Sequence, residues 1–124
     1  MPGINKVILV GHLGKTPELR LIENETAVTS FPLATSETLI RNGIKEEVTE
    51  WHHIILWRGL AETAVRLLKK GQLVYIEGKL GTRKFTDSQN IGRHITEIIA
   101  EKFTLLGRKS DFAEIGSEQQ VYEY

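Results

Sequence analysis

At 124 residues the chain has room for one domain with its own core and not for two, and 40% hydrophobic with 26% charged residues is the balance of an ordinary globular domain. With no cysteine it has no disulfide framework, no thiolate metal site and no cysteine nucleophile. The formal charge is zero, but residues 1–109 hold all 16 Lys and Arg against 12 Asp and Glu, while residues 110–124 hold Asp111, Glu114, Glu118 and Glu123 and no base, an asymmetry that points to a polyanionic partner.

Residues 4–13 form a nearly continuous apolar run that ends in Gly11, His12, Leu13 and Gly14, the pattern of a central strand bent by its glycines. This strand begins so close to Met1 that no leader is expected, and no apolar run approaches the roughly 20 residues of a membrane span, so the expected location is the cytoplasm. A turn at Lys15, Thr16 and Pro17 leads to a short strand over 18–22 and a longer one over 27–36. Pro32 lies inside the longer one and lacks an amide hydrogen, which predicts an edge or bulge there. Residues 36–49 are polar, with Asn42 and Gly43 as a turn signal, and are expected to form a mobile loop.

The alternation over 49–57 predicts a strand with Trp51, His53, Ile55 and Trp57 on one face and His52, Ile54 and Leu56 on the other. From Leu60 the period changes. Leu60, Ala64, Leu67 and Leu68 follow helical spacing, and Lys69, Lys70 and Gly71 are its stop signals. Strands over 72–85 and 91–106 flank a turn at 86–90 and form a long hairpin. From Ser110 regularity fades, and the acidic segment 110–124 is expected to be a mobile tail that competes weakly with an anionic ligand, or else to pack on the barrel through residues such as Val121 and Tyr122.

This order, with one short helix between the third and fourth major strands, fits an all-β, five-stranded Greek-key OB barrel over residues 1–109. A β-sandwich is the alternative, although it does not readily account for the helix.

A strand with two tryptophans on one face can be a core strand. The next segment shifts the balance: Val74, Ile76 and Leu80 are expected inside, while Tyr75, Lys79, Arg83 and Phe85 share the other face. Cations interleaved with flat rings suit a single-stranded nucleic acid, whose phosphates attract Lys and Arg and whose bases stack on aromatic rings. Arg20, Arg58, Lys70, Arg83 and Lys84 belong to the basic body, flank the aromatic positions and are placed along the phosphate path. Catalysis is not expected. The four histidines fit no metal pattern, since adjacent His52 and His53 point to opposite faces, and neither a hydrolase motif nor a phosphate-cradling loop occurs. No cofactor follows from the sequence.

The runs NKVILVGHLGKTPELR at 5–20, LATSE at 33–37, TEWH at 49–52, KG at 70–71, VYIEG at 74–78 and TRKFTD at 82–87 together resemble bacterial single-stranded DNA-binding proteins over residues 4–106. The resemblance implies an OB-fold homotetramer that coats single-stranded DNA in replication, recombination and repair without catalysis. It assigns base stacking to Trp51, Trp57 and Phe85. Leu39 stands where the family has a further stacking tryptophan, and Leu67 where some relatives carry a ring. His52 matches a position near the subunit interface, and Tyr75 is either interfacial or DNA-facing. The family's long Gly- and Gln-rich linker and acidic tip are not in this sequence, so recruitment of other proteins is not expected from it. Competing readings are a primosomal or RNA-binding OB module, an adaptor that oligomerises through its sheet, and a metal-dependent hydrolase.

Overall fold

The computed structural model describes residues 2–107 and 121–123. Five long strands form its frame: β1 (Val7–Leu13), β3 (Thr26–Arg41), β4 (Ile44–Trp57), β5 (Leu73–Thr86) and β6 (Gly92–Gly107). Two short strands, β2 (Arg20–Ile22) and β7 (Val121–Glu123), add to β3 and β6, and the helix α1 (Arg58–Leu67) joins β4 to β5. Neighbours run β1-β5-β6-β4-β3, and β3 returns to β1 through His12 opposite Ala34 and Leu13 opposite Leu33. The barrel is therefore closed. Every pairing between these strands is antiparallel except β4 with β6, which run parallel at Ile54–Ile98 and Ile55–Ile99. This is the Greek-key barrel of the OB fold. The closing contact requires Gly11, because a Cβ there would collide with the carbonyl oxygen of Ala34.

Period-two alternation fills the interior with Leu13, Phe31, Leu33, Ile54, Leu56, Val74, Ile76 and Ile98, and α1 adds Leu60, Ala61 and Ala64 to the same core. Along β6 the inward parity changes from Ile98 and Ala100 to Phe103. Glu77 pairs with Lys102 and Gly78 with Ala100, so Glu101 is the extra residue of a bulge.

The structure departs from the sequence reading at several places. Residues 36–49 do not form an irregular loop; β3 and β4 stay paired without a break out to Arg41–Ile44. Asn42 (φ 51°) and Gly43 (φ 78°) make the two-residue turn that positive φ at both positions favours. The ribbon has left the barrel, so almost all its side chains are exposed and no apolar alternation marks it as strand. The helix ends at Leu67 rather than near Gly71, and Leu68, which caps it in extended conformation, is still buried. Leu80 has the inward parity but is 51% exposed, because β1 pairs β5 only as far as Gly78 and the β5–β6 ribbon beyond has no interior to cover. There the side chain of Asn5 extends the pairing, donating to the Leu80 carbonyl at 2.9 Å and accepting from its amide at 3.0 Å.

Pro32 costs no ladder bond. Its carbonyl accepts from the Gly14 amide at 2.8 Å, so the missing N–H lies on the side away from β4, between the stretches of β3 that pair with β2 and β1. Residues 108–120 and 124 lie outside the described residues, and with them all of the expected 110–124 tail except 121–123. Residues 121–123 pack on the barrel: they pair with Lys102–Thr104, and the Tyr122 ring stacks on Phe103 with centroids 5.1 Å apart.

Candidate nucleic-acid interface

β4 divides its residues as its alternation requires. Ile54 and Leu56 are wholly buried, and Trp51, His53, Ile55 and Trp57 take the outer face. Directly opposite pairs put Ala34, Pro32, Ser30 and Val28 of β3 on that face as well, and Val28 is in turn opposite Arg20 of β2. Arg20, Val28 and Trp57 therefore form one row across three strands. Ile55 and Val28 are the exceptions to outward exposure, Val28 being only 2% exposed between Arg20 and Trp57. Ile55 is flanked by Ser30 on β3 and Ile99 on β6.

Trp51 is 59% exposed, and its ring comes close against Gly14, where an added Cβ would be 2.5 Å from Cζ3 of the ring and 3.2 Å from Cγ of Pro32. The ring thus rests close against Gly14 while more than half of its surface stays open to solvent. That is a geometry a nucleobase can stack on.

The parallel β4–β6 contact continues this surface onto the hairpin. On β5, Lys79, Gly81, Arg83 and Phe85 stand opposite Ile99, Glu97, Ile95 and Arg93 of β6 and share their face. Between β4 and this hairpin an open groove of ≈ 390 Å³ is lined by Trp57, Arg58, Lys79, Ile99 and the bulge residues Ala100 and Glu101. Arg58 begins α1 with φ 55°, in the left-handed region, as the chain turns from strand into helix beside the groove. The sequence placed Lys79 on the aromatic face but did not show this groove, whose wall includes the bulge residues of β6.

Not every predicted site residue joins this surface. Lys84 is opposite His94 and has the parity opposite to Arg83 and Phe85, so the two adjacent cations point to different sides of the ribbon. Leu39 is an odd position on the unbroken β3–β4 register, five residues beyond Ala34, and faces away from Pro32 and Trp51. Lys70 sits in the loop after α1, with its amide bonded to the Thr16 hydroxyl at 3.0 Å. The next residue, Gly71, bonds to Leu13, so Lys70 lies near the Gly14 end of the barrel. Phe85 is 40% exposed and continues the Arg83 row toward the hairpin turn.

His52 and Tyr75 lie elsewhere. His52 is half-buried on the inward side of β4, its Nε2 2.8 Å from the Thr35 hydroxyl. Tyr75 is outward on the β1–β5 surface opposite Val10, next to exposed Ile8. Its hydroxyl donates to Glu77 at 2.8 Å, Lys6 binds the same carboxylate at 2.6 Å, and Lys102 lies at 3.3 Å. The Lys6 hydrogen bond, followed by that of Tyr75, holds the Glu77 carboxyl down to about pKa 2, and bonding to Glu77 raises both Lys6 and Tyr75. In the hairpin turn Arg93 binds Asp87 at 2.8 Å and holds its carboxyl below the usual range, helped by the Ile91 and Gln89 amides. Among the described residues no group of three or more His, Cys, Asp or Glu could hold a metal ion, and no helix is long and apolar enough to cross a membrane.

Residues 4–106 match the single-strand binding protein family. The chain belongs to this family. It is 47% identical over 109 residues to a single-stranded DNA-binding protein of Neisseria meningitidis serogroup A, covering 87% of this chain and 63% of that protein. It is 39% identical over 119 residues to single-stranded DNA-binding protein 1 of Xylella fastidiosa, covering 94% and 88% of the two chains. In structure it resembles the Plasmodium falciparum SSB complex with ssDNA, with a TM-score of 0.72 and 26% identity over 100% of this chain and 97% of the other. The family member described here thus spans less than two thirds of the length of its Neisseria relative.

Proposed function

We propose that this chain binds single-stranded DNA, as its relatives' names state of them, and that it does so without sequence preference and coats the DNA in the cytoplasm during replication, recombination and repair. The observation that carries this reading is the continuous outer face that joins Trp51 and Trp57 of β4 to Arg83 and Phe85 of β5, with Arg20 in the Trp57 row. Bases stack on Trp51, Trp57 and Phe85, and Arg20, Arg58, Lys70 and Arg83 attract the phosphates. Lys84 reaches the strand only if it wraps the hairpin, and Leu39 only if it follows the β3–β4 ribbon around its far side.

The chain assembles as a homotetramer. The outward Ile8 and Val10 beside Tyr75 form an exposed apolar strip of the kind a partner subunit covers, and the family resemblance assigns His52 to the neighbourhood of the subunit interface. Titration with poly(dT) while following tryptophan fluorescence tests the reading. Quenching that weakens with rising salt is expected; a signal unchanged by poly(dT) would refute it.

A further inference from the structure

Among the described residues, the buried side-chain oxygen left without a hydrogen-bond partner is Oε2 of Glu97. The side chain is only 6% exposed, yet it belongs to the outer face of β6, in the midst of the proposed DNA surface. An unsatisfied buried carboxylate lowers stability, and an anion on a phosphate-binding face repels its ligand. Neither the core nor net charge accounts for it.

Its surroundings do. His53 of β4 places Nε2 3.6 Å from Oε2, Arg83 of β5 places Nε 3.5 Å from Oε1, and Gly81 directly across contributes no side chain. We propose that Glu97 is a positioning residue of the DNA face: it holds the Nε side of Arg83, and with it His53, so that the terminal amino groups of Arg83 are aimed at a backbone phosphate. This inference rests on the DNA-binding reading above. Engagement through Nε leaves the two terminal nitrogens on a side chain that is 51% exposed, and the planar guanidinium fixes their direction once Nε is held. The anion gives up some long-range attraction and supplies a cation ordered before DNA arrives, which lowers the cost of immobilising that side chain on binding.

The test compares wild type, Glu97→Gln, Arg83→Lys and the double variant in poly(dT) titrations, with thermal melts on each. Glu97→Gln makes the face more positive yet is expected to weaken binding, roughly 2- to 10-fold, as coupled contacting groups do. Arg83→Lys keeps the charge but lacks the fork, and a similar loss is expected. The double variant should bind no more weakly than Arg83→Lys alone. Glu97→Gln binding as tightly as wild type or tighter, or losses that multiply in the double variant, would overturn the proposal. So would a lowered melting point with no coupling to Arg83. If Glu97→Gln does not fold, Arg83→Lys decides alone: wild-type affinity removes the role, and a loss at unchanged charge supports it. Failure of wild type itself to bind poly(dT) refutes the DNA-binding reading, whereas wild-type binding with a neutral or favourable Glu97→Gln effect removes only the positioning role.

Discussion

Truncating Trp51 separates the cost to the fold from the cost to binding. The residue is 59% exposed, so about two fifths of its surface is covered. With about 150–250 Å² at stake for a fully buried aromatic, Trp51→Ala removes about 60–100 Å² of burial, an upper bound of about 1.5–2.5 kcal/mol. A domain of ordinary stability, about 5–15 kcal/mol, survives that. The stacking loss is about 1–3 kcal/mol per base, which is roughly 5- to 150-fold in affinity. Gly14→Ala provides the control. It keeps the ring but puts a Cβ 2.5 Å from it, so the ring must shift, and an affinity between wild type and Trp51→Ala is expected. The assay is a poly(dT) titration read by anisotropy of labelled DNA, with circular dichroism to establish that each variant is folded. Wild-type affinity in folded Trp51→Ala, or in a folded variant lacking Trp51, Trp57 and Phe85 together, would refute the proposed surface.

Arg83→Glu is expected to flatten the log–log salt dependence of binding, by about 0.7 for each phosphate that is no longer neutralised, whereas Lys84→Glu on the other side of the ribbon should change it less; equal effects would contradict the facial assignment. The Glu77 carboxyl is held at about 2 against an ordinary 4.5, so its ionised form stabilises the fold above pH 4.5 and that contribution is lost as pH falls through this window toward 2. Melting curves of wild type and Glu77→Gln should therefore converge between pH 4.5 and 2, and a gap that widens on acidification would show the sign to be wrong. Tyr122→Ala removes the stack on Phe103, worth about 0.5–1.5 kcal/mol beyond the area it covers, and should lower the denaturant midpoint; an unchanged midpoint would mean that β7 adds nothing to the barrel.

Period-two alternation made the Trp51–Trp57 face, the inward Val74 and Ile76 and the Lys79–Phe85 row legible in the sequence, because a strand exposes alternate residues wherever it lies. The turn at Asn42 and Gly43 was legible for a similarly local reason: both residues tolerate positive φ. The strands on either side of that turn were not. A two-stranded ribbon in water is held by backbone bonds to its partner and needs no apolar pattern, so its side chains carry no sign of it.

Tertiary structure alone decided the rest. Where the barrel ends determined that Leu80 is exposed, and the β4–β6 contact determined that Ile55 is covered. The one-residue bulge at Glu101 lies in the wall of the groove beside Trp57, where no local pattern announced it. The meeting of His53, Arg83 and Glu97 is of the same kind, since three residues on three strands become neighbours only when β6 pairs with both β4 and β5 in its set register. Local chemistry fixes which way a side chain points on its own strand; which side chains it meets depends on pairings between residues far apart in the chain, and these are selected by the packing of the whole core.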